Sequence, residues 1–258
     1  VNVTAMPPVL QTSHPRPEIT VLTLNRPEKL NAVSAAMVAE LGEALDRAEA
    51  SEGVRAVLLH GAGRAFSAGF DLPTVGSYDP THLTAFFEGF LGILDRMLRL
   101  PCPIIAAVGG HAIAGGFILT LACDFRVVGT GRKKLGLSEV DLGAAVPAGA
   151  QVLLTERTSP QASRYLCQTA ALIGPEEAYR IGYADELAED ANVRALELAE
   201  SLAAKPGAGV ATSKLLLGAE LADRVQAADR EGMEPFLATW FSNEAQDAIA
   251  GLVRRLKG

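Results

Sequence analysis

Short apolar runs that alternate with helical patterns most constrain the fold of this chain. Four such runs occupy residues 19–25, 54–60, 104–108 and 125–128, with Gly, Pro, Asn or Asp close to their ends. Runs of this length and composition are typical of buried strands. Because helical patterns separate the runs and continue alone from about residue 151, the sequence predicts an α/β fold with a helical C-terminal extension.

Three regions are expected along the chain. Residues 1–18 are rich in proline and poor in apolar side chains, so we expect a loose N-terminal tail. Residues 19–190 contain the alternating pattern and would form the core. Residues 191–258 contain amphipathic helices, which we expect to be interrupted near Pro206-Gly207 and near Gly232.

Capping and breaking residues predict further boundaries. Ser34 is expected to be the N-cap of a first helix, and Pro147 to start a later one. A long amphipathic helix is expected over Leu83 to Leu100, stopped by prolines. Two more short strands are expected at residues 132–137, with exposed basic side chains, and at residues 185–187.

Composition excludes several function classes. A net charge of −7 argues against nucleic acid as the main partner, because phosphate binding needs a basic surface. The 3 cysteines and 4 histidines show no zinc-binding spacing, so we expect no metal site and reduced thiols. No apolar run is long enough to cross a membrane, and no signal peptide is evident. We therefore expect a cytoplasmic protein without a membrane partner.

The segment from residue 109 to residue 124 carries the first chemical signal. Gly115 and Gly116 stand where a buried strand gives way to a helical pattern. Glycine lets the backbone approach a ligand, and a helix N-terminus offers N–H donors without partners. Together these features suit an oxygen that develops negative charge. Close packing of a helix against a strand explains the glycine pair about equally well. His111 could act as a base, but a lone histidine after a buried strand is more often structural.

The loop from Arg64 to Asp71 is a second candidate site. Its small residues, among them Ser67, could let a ligand lie against the main chain, and the N–H of Phe70 could point at a ligand oxygen. A tight surface turn is the simpler explanation for this loop on its own. Ser67 lacks the glycine that a nucleophile elbow requires two residues earlier, so a nucleophilic serine is not predicted.

Glu139 is the third candidate, because it stands among leucines and valine. A carboxylate in an apolar pocket has a raised pKa, which suits it to proton transfer near neutrality. An exposed loop carboxylate is the structural alternative. Asp71, Asp124 and Asp141 are rival carboxylates, of which Asp71 and Asp124 have structural settings.

Three motifs together resemble the crotonase (enoyl-CoA hydratase/isomerase) superfamily. They are Asn25-Arg26-Pro27-Glu28-Lys29-x-Asn31-Ala32, Ala65-Phe66-Ser67-Ala68-Gly69-x-Asp71, and Gly110-x-Ala112-x-x-Gly115-Gly116 followed by Cys123-Asp124. The resemblance extends from about residue 19 to residue 190. It implies a crotonase-like ββα spiral core and trimers or dimers of trimers that assemble through the C-terminal helices.

The resemblance also implies a coenzyme A thioester substrate and no separate cofactor. On this basis the N–H groups of Phe70 and Gly115 would hold the thioester oxygen, the adenine would meet Ala68, and Arg26 or Lys29 would lie near the phosphates. The substrate-contacting positions expected from the resemblance are Arg26, Lys29, Ala32, Ser67, Ala68, Gly69, Asp71, Leu72, Gly116 and Ile118.

Two positions bear on the reaction type. Hydratases of this family use two glutamates, and here the first position is Ile118 while the second is Glu139. The stretch around Glu139 looks most like the Δ3-Δ2-enoyl-CoA isomerase branch. One base is sufficient for a 1,3-proton shift, so an isomerase with Glu139 as single acid/base is the leading hypothesis. A hydratase or another crotonase-type reaction, and a non-catalytic acyl-CoA-binding protein, are the alternatives.

Overall fold

The computed structural model describes residues 8–257 of the chain. Its strands are β1 (Leu10–Arg16), β2 (Ile19–Leu24), β3 (Ala56–Gly61), β4 (Ala65–Ser67), β5 (Ile104–Val108), β6 (His111–Ile113), β7 (Phe125–Gly129), β8 (Leu135–Gly136) and β9 (Glu186–Ala188). Its helices are α1 (Ala35–Ala50), α2 (Leu72–Val75), α3 (Pro80–Arg99), α4 (Gly115–Leu121), α5 (Ala148–Arg157), α6 (Pro160–Thr169), α7 (Pro175–Arg180), α8 (Ala191–Ala203), α9 (Gly207–Trp240) and α10 (Asn243–Lys257). Two short 3-10 turns cover Pro27–Lys29 and Glu139–Leu142.

The strands form a large sheet and a small one. The large sheet has the order β1-β2-β3-β5-β7-β9, and the small sheet has the order β4-β6-β8. β1 and β2 pair antiparallel, while every later neighbouring pair is parallel. Parallel neighbours need crossover connections, which the intervening helices provide.

A repeated ββα unit produces this arrangement. β3, β5 and β7 each join the large sheet, and the strand that follows each of them, β4, β6 or β8, joins the small sheet. Helices follow each strand pair before the chain returns to the large sheet. The predicted α/β fold with a ββα core and a helical C-terminal part is therefore confirmed.

The large sheet is covered on both faces. On one face α8 places Ala191, Ala195 and Ala199 against Ile19, Leu58 and other strand residues. On the opposite face the main core contains side chains from α1, α3, α4, α5 and α9. Because both faces are buried, the strands consist of nearly continuous apolar runs, which explains why the sequence revealed them.

The expected loose tail was wrong for residues 10–16. They form β1, whose side chains are exposed beyond Leu10. The strand is held by backbone pairing with β2, and such pairing needs no apolar pattern. Residues 1–7 of the predicted tail lie outside the described residues.

Two other expected boundaries were also wrong. The strand expected at residues 132–137 is reduced to β8. Just before it, the Lys134 N–H donates to Nδ1 of His111 at 2.9 Å, and the Lys134 carbonyl accepts from the N–H of Ala112 at 3.1 Å. The helix expected to break near Gly232 continues as α9 as far as Trp240. The interruption near Pro206-Gly207 is confirmed, since α8 ends at Ala203 and α9 begins at Gly207.

Candidate active site

The carboxyl ends of the three strands in the small sheet meet at one edge. β4 leads into residues 68–70, β6 leads into Ala114 and Gly115, and β8 is followed after two residues by Glu139. The Ala114 N–H donates to the carbonyl of Gly136 at 2.9 Å, which ties the second segment to the third. Ligands of open α/β sheets bind beyond the carboxyl ends of strands, so this edge is the candidate site.

The backbone N–H of Phe70 is available to a ligand at this edge. Val33 donates to the carbonyl of Gly69 at 2.7 Å and accepts from the N–H of Asp71 at 2.9 Å. In extended backbone the polar groups of successive residues point in opposite directions, so the Phe70 N–H faces away from Val33. Within residues 8–257 this N–H donates no hydrogen bond.

Gly115 and Gly116 begin α4, and both allow close packing that a side chain would prevent. A Cβ on Gly115 would lie 2.6 Å from Cε1 of Phe70, and a Cβ on Gly116 would lie 2.5 Å from the carbonyl oxygen of Ser67. The N–H of Gly115 lies in the first turn of the helix, where it has no helical partner. Phe70 and Gly115 therefore bring two N–H donors to one edge of the sheet.

Ala114 holds an unusual backbone conformation at the start of α4. Its φ of 49° and ψ of −126° lie in a region that residues with a side chain rarely adopt. The surrounding hydrogen bonds hold it there, because its N–H donates to Gly136 and its carbonyl accepts from Ile118, each at 2.9 Å. Strain of this kind is concentrated at functional sites. An alanine gives no sequence signal for this conformation.

Glu139 is the buried carboxyl group of the site. Its residue is 6% exposed, and among the described residues neither carboxylate oxygen has a hydrogen-bond partner. Burial raises the pKa of Glu139 to about 7, and the N–H groups of Ser138 and Glu139 oppose this rise without forming hydrogen bonds to the side chain. A carboxyl group half ionised near neutrality is suited to accepting and returning a proton.

The rival carboxylates have other surroundings. Asp71 forms an ion pair with Arg26 at 2.7 Å. Asp124 accepts from the N–H of Ile104 at 2.7 Å and pairs with Lys214 at 2.8 Å. Asp141 is exposed. The carboxylates of Asp71 and Asp124 are thus both paired with protein groups.

The other candidates in the first and second motifs are distributed over two loops. Ser67 is buried, and its Oγ accepts from the N–H of Gly69 at 3.3 Å. Ala68 donates its N–H to Leu30 at 3.0 Å, which joins the two loops. Leu72 begins α2.

Arg26 is engaged with protein groups. Its guanidinium donates to the carbonyl of Ala32 and to Oδ2 of Asp71, both at 2.7 Å. Lys29, the other cation expected near coenzyme A phosphates, is exposed on the Pro27–Lys29 turn. No local sequence pattern indicates the link between Arg26 and Asp71, because they are 45 residues apart.

Ile118 and three phenylalanines of α3 complete the surroundings. Ile118 is fully buried in the main core and has no titratable group. The Phe70 ring meets Phe86, Phe87 and Phe90 edge to face, with centroid distances of 5.5, 5.1 and 5.0 Å. These three side chains pack against the Phe70 ring on the α3 side.

Other features of the described chain lie apart from this edge. A cleft of about 800 Å³ is lined by residues of α6 and α7, including Tyr165 and Arg180, and contains none of the predicted site residues. Within residues 8–257 no group of three or more His, Cys, Asp or Glu side chains could hold a metal ion. No helix in the same range has the length and apolar character required to cross a membrane.

Comparisons with known proteins agree with this geometry. The sequence profile of the enoyl-CoA hydratase/isomerase family matches residues 16–257. A Thermus thermophilus protein named "Putative enoyl-CoA hydratase" is 37% identical over 198 residues, which cover 76% of this chain and 77% of that protein. The crystal structure of an enoyl-CoA hydratase/isomerase from Xanthobacter autotrophicus Py2 is 27% identical, with a TM-score of 0.86 over 96% of this chain and 93% of that one.

A second solved structure supports the fold alone. An enoyl-CoA hydratase/isomerase from Mycobacterium paratuberculosis superposes with a TM-score of 0.89 at 24% identity, covering 96% of this chain and 99% of that one. The family profile covers nearly all of the described residues, including the three segments that meet at the edge of the small sheet. The chain therefore belongs to the enoyl-CoA hydratase/isomerase family, the crotonase superfamily.

Proposed function

We propose that this protein isomerises 3-enoyl-CoA thioesters to 2-enoyl-CoA thioesters, with Glu139 as its single acid/base. Family membership supports the coarser statement that it is an acyl-CoA-processing enzyme of crotonase type. The isomerase assignment is our own inference from the residues of the site.

One observation carries this proposal. The segment after β8 carries Glu139, a buried carboxyl group without a hydrogen-bond partner among the described residues, and the helix after β6 carries the buried, aliphatic Ile118. Water addition needs a carboxylate to activate the water and usually a second to manage the proton. A 1,3-proton shift needs only one base, because the proton removed from one carbon is returned to another carbon of the same intermediate.

The proposed reaction needs no proton donor or acceptor other than Glu139. The Glu139 carboxylate removes a proton from C2 of the 3-enoyl thioester, and the electron pair of that C–H bond moves into a dienolate with its charge on the thioester oxygen. The Glu139 carboxylic acid then protonates C4, the electrons return to form the C2–C3 double bond, and the carboxylate is regenerated. A pKa near 7 allows one group to perform both transfers at neutral pH.

The dienolate would be stabilised by the N–H groups of Phe70 and Gly115. Neither N–H is needed by the described protein backbone, so both can donate to the thioester oxygen as it gains charge. Removing one donor of such an oxyanion hole typically lowers the rate by about 10²–10³-fold. This step would be shared by any enolate-forming reaction at the site.

The remaining assignments concern binding and assembly. We assign the coenzyme A adenine to the main chain around Ala68 and the phosphates to exposed Lys29. We also propose a homotrimer or a dimer of trimers formed through the C-terminal helices. Support for assembly comes from Leu216 and Leu217 of α9, which are 78% and 81% exposed, since exposed apolar patches mark interaction surfaces.

Hydration is the second candidate reaction. The name of the Thermus thermophilus relative favours it, and so does the name of a related Mycobacterium tuberculosis protein, "Probable enoyl-CoA hydratase", which is 36% identical over 211 residues. In this case Glu139 would activate a water molecule, and the enolate would be held by the same two N–H groups.

A paired assay separates the two reactions. The purified protein is given 3-enoyl-CoA and 2-enoyl-CoA substrates of several chain lengths, and isomerisation and hydration are followed separately. We expect isomerisation to dominate, and Glu139→Gln to bind acyl-CoA while isomerisation falls by at least about 10²-fold. Hydration faster than isomerisation would replace our assignment with the hydratase, and tight binding without any turnover would indicate a binding protein.

A further inference from the structure

We propose that the ion pair between Arg26 and Asp71 is a positioning device for the N–H of Phe70. On this view Arg26 serves the oxyanion hole, and it does not bind the phosphates of coenzyme A. The inference depends on one part of the proposed function, the donation of the Phe70 N–H to the thioester oxygen, and is independent of which enoyl-CoA reaction follows.

The guanidinium of Arg26 joins two segments of the chain. Nη2 donates to Oδ2 of Asp71, and Nη1 donates to the carbonyl of Ala32, both at 2.7 Å. The side chains of Arg26 and Asp71 are only 17% and 11% exposed. With two of its nitrogens committed inside the protein, Arg26 is poorly placed to reach a phosphate in solvent.

The two joined segments are those that fix Phe70. Ala32 immediately precedes Val33, and Asp71 immediately follows Phe70. Val33 forms the parallel bridge to Phe70 through the hydrogen bonds to Gly69 and Asp71. The guanidinium therefore connects the same two segments a second time, next to the bridge between Val33 and Phe70. The direction of the Phe70 N–H depends on both connections.

The turn that carries Arg26 is itself anchored. The side chain of buried Asn31 accepts from the Arg26 N–H at 2.9 Å and donates to the carbonyls of Ala62 and Ala65, both at 2.8 Å. Ala65 begins β4, the strand that leads to Phe70. The turn that carries Arg26 is thus held by Asn31 against the start of β4, the strand that precedes Phe70.

The contacts of Arg26 with Ala32 and Asp71 depend on both the charge and the planar shape of its guanidinium. The planar guanidinium directs separate N–H groups at a carbonyl and a carboxylate, and an ammonium group cannot reproduce that fork. Removing one partner of a largely buried pair leaves the other charge without compensation. Displacement of a reacting group by about 1 Å can lower a rate about 10²-fold, so loosening Phe70 would affect kcat.

A spectroscopic probe tests the position of the donor without any turnover. The probe is the coenzyme A thioester of 4-(dimethylamino)cinnamic acid, whose absorption shifts to longer wavelength when hydrogen bonds polarise the thioester carbonyl. We expect Arg26→Gln and Asp71→Asn to lose most of this shift while they still bind the probe, and Arg26→Lys to restore it only in part. Asp71→Asn preserves the side-chain volume, so we expect this variant to remain folded even if Arg26→Gln does not. Arg194→Gln, which breaks the partly exposed ion pairs with Glu186 and Glu197, is the control and should leave the shift unchanged.

Steady-state kinetics on two substrates separate positioning from phosphate binding. Arg26→Gln and Asp71→Asn should lower kcat by about 10–10²-fold with both an enoyl-CoA and the enoyl-pantetheine thioester that lacks the nucleotide phosphates. The double variant should be no worse than the more impaired single variant, because the two residues form one link.

Specific outcomes would overturn the inference. An Arg26→Gln defect confined to KM for the coenzyme A thioester, and absent with the pantetheine thioester, would make Arg26 a phosphate ligand. A full wavelength shift in folded Asp71→Asn would show that the pair does not position Phe70. If wild-type protein bound the probe with no shift at all, the oxyanion hole of the proposed function would fail, and this inference with it. Absence of isomerisation with a normal shift would remove only the reaction assignment.

Discussion

At the scale of single residues, Glu139 combines function with a cost in stability. Its ordinary pKa is 4.5, and burial raises it to about 7 in the folded protein. Each tenfold change in proton affinity corresponds to about 1.4 kcal/mol, so the ionised form opposes folding by about 3 kcal/mol. The N–H groups of Glu139 and Ser138 offset part of this cost, but among the described residues neither carboxylate oxygen has a hydrogen-bond partner.

The pH dependence of stability should reveal this cost. Because the folded pKa is raised, the protonated carboxyl favours the folded state fully below about pH 4.5, and that contribution is lost as the pH rises through about 7. Glu139→Gln cannot ionise, so its free energy of unfolding should increase relative to wild type by up to about 3 kcal/mol between pH 5 and pH 8.5. Urea denaturation of both proteins at several pH values measures the difference.

The difference in stability between the two proteins excludes the contributions of other ionisable groups, because those groups are the same in both. Burial also raises the pKa of Asp229 to about 6, and this group influences the wild type and the variant alike. Parallel stability curves for the two proteins would contradict a buried, ionisable Glu139.

The rate of the reaction should depend on pH in the opposite direction. Only the carboxylate form of Glu139 can remove a proton, so kcat/KM for 3-enoyl-CoA should rise with pH and level off above an apparent pKa of about 7. Initial rates from pH 5 to pH 9, at substrate concentrations far below KM, measure this profile. A flat profile, or the same profile in the residual activity of Glu139→Gln, would remove Glu139 from the proton transfer.

Single residues also show what the sequence can and cannot reveal. The apolar neighbours of Glu139 indicated a raised pKa, and the glycine pair indicated the start of α4. The conformation of Ala114 and the pairing of Arg26 with Asp71 left no local pattern, because they depend on contacts between distant segments. The direction of the Phe70 N–H likewise depends on Val33, 37 residues earlier.

At the scale of secondary-structure elements, α9 supports the segment that carries Glu139. Asp229 accepts from the N–H of Gly149 at 2.7 Å near the start of α5, and Thr239 accepts from the N–H of Ala145 at 3.0 Å. The first residue of α5, Ala148, also touches α9, because a Cβ on Gly232 would lie 2.5 Å from its Cβ. Helix α9 therefore fixes the chain between the Glu139–Leu142 turn and α5.

A pair of substitutions tests this contact. Gly232→Ala should force α5 away from α9, and overpacking of this kind lowers stability by about 1–3 kcal/mol. It should also reduce kcat, since Ala148 follows the turn of Glu139 closely. Adding Ala148→Gly removes the opposing methyl group and should restore part of both losses. Denaturation and steady-state rates of the two single variants and the double variant measure the effect.

The opposite result would have a clear meaning. Gly232 is in the interior of a helix, where alanine is intrinsically favoured over glycine by about 1 kcal/mol. A Gly232→Ala protein that is more stable than wild type would show that the two helices separate easily.

The same contact explains why an element was mispredicted. Sequence patterns treat an isolated glycine within a helical stretch as a possible break, whereas here Gly232 permits the close approach of two helices. The buried strands β3, β5 and β7 were located correctly because their apolar runs are a local property. β1 and β8 depend on pairing with strands elsewhere in the chain, which no local pattern encodes.

At the scale of the whole molecule, the C-terminal helices share the main core. Leu221, Val225, Phe236 and Trp240 of α9 belong to the same cluster of buried side chains as the strands of the large sheet. Phe236 packs on Phe87 of α3 with a centroid distance of 4.5 Å. The helices expected to serve oligomerisation thus also complete the fold of the single chain.

Lys214 joins α9 to the large sheet. It is 8% exposed, and its Nζ donates to the carbonyls of Met97 at 3.0 Å and Cys102 at 2.9 Å. It also pairs with Asp124 at 2.8 Å, and Asp124 in turn accepts from the first residue of β5. One buried cation therefore connects α9, the end of α3 and the large sheet.

Removal of this cation should destabilise the molecule as a whole. Lys214→Met keeps the apolar stem but leaves the Asp124 carboxylate without its partner, and breaking a buried pair in this way costs about 3–5 kcal/mol. Adding Asp124→Asn removes the uncompensated charge and preserves an acceptor for the Ile104 N–H, so the double variant should be more stable than Lys214→Met alone. Arg224→Gln, which breaks an exposed pair with Glu156, should change stability by less than about 1 kcal/mol. Chemical denaturation of the wild type and the three variants measures their free energies of unfolding. If Lys214→Met lowers that free energy no more than Arg224→Gln does, α9 is held by apolar packing alone.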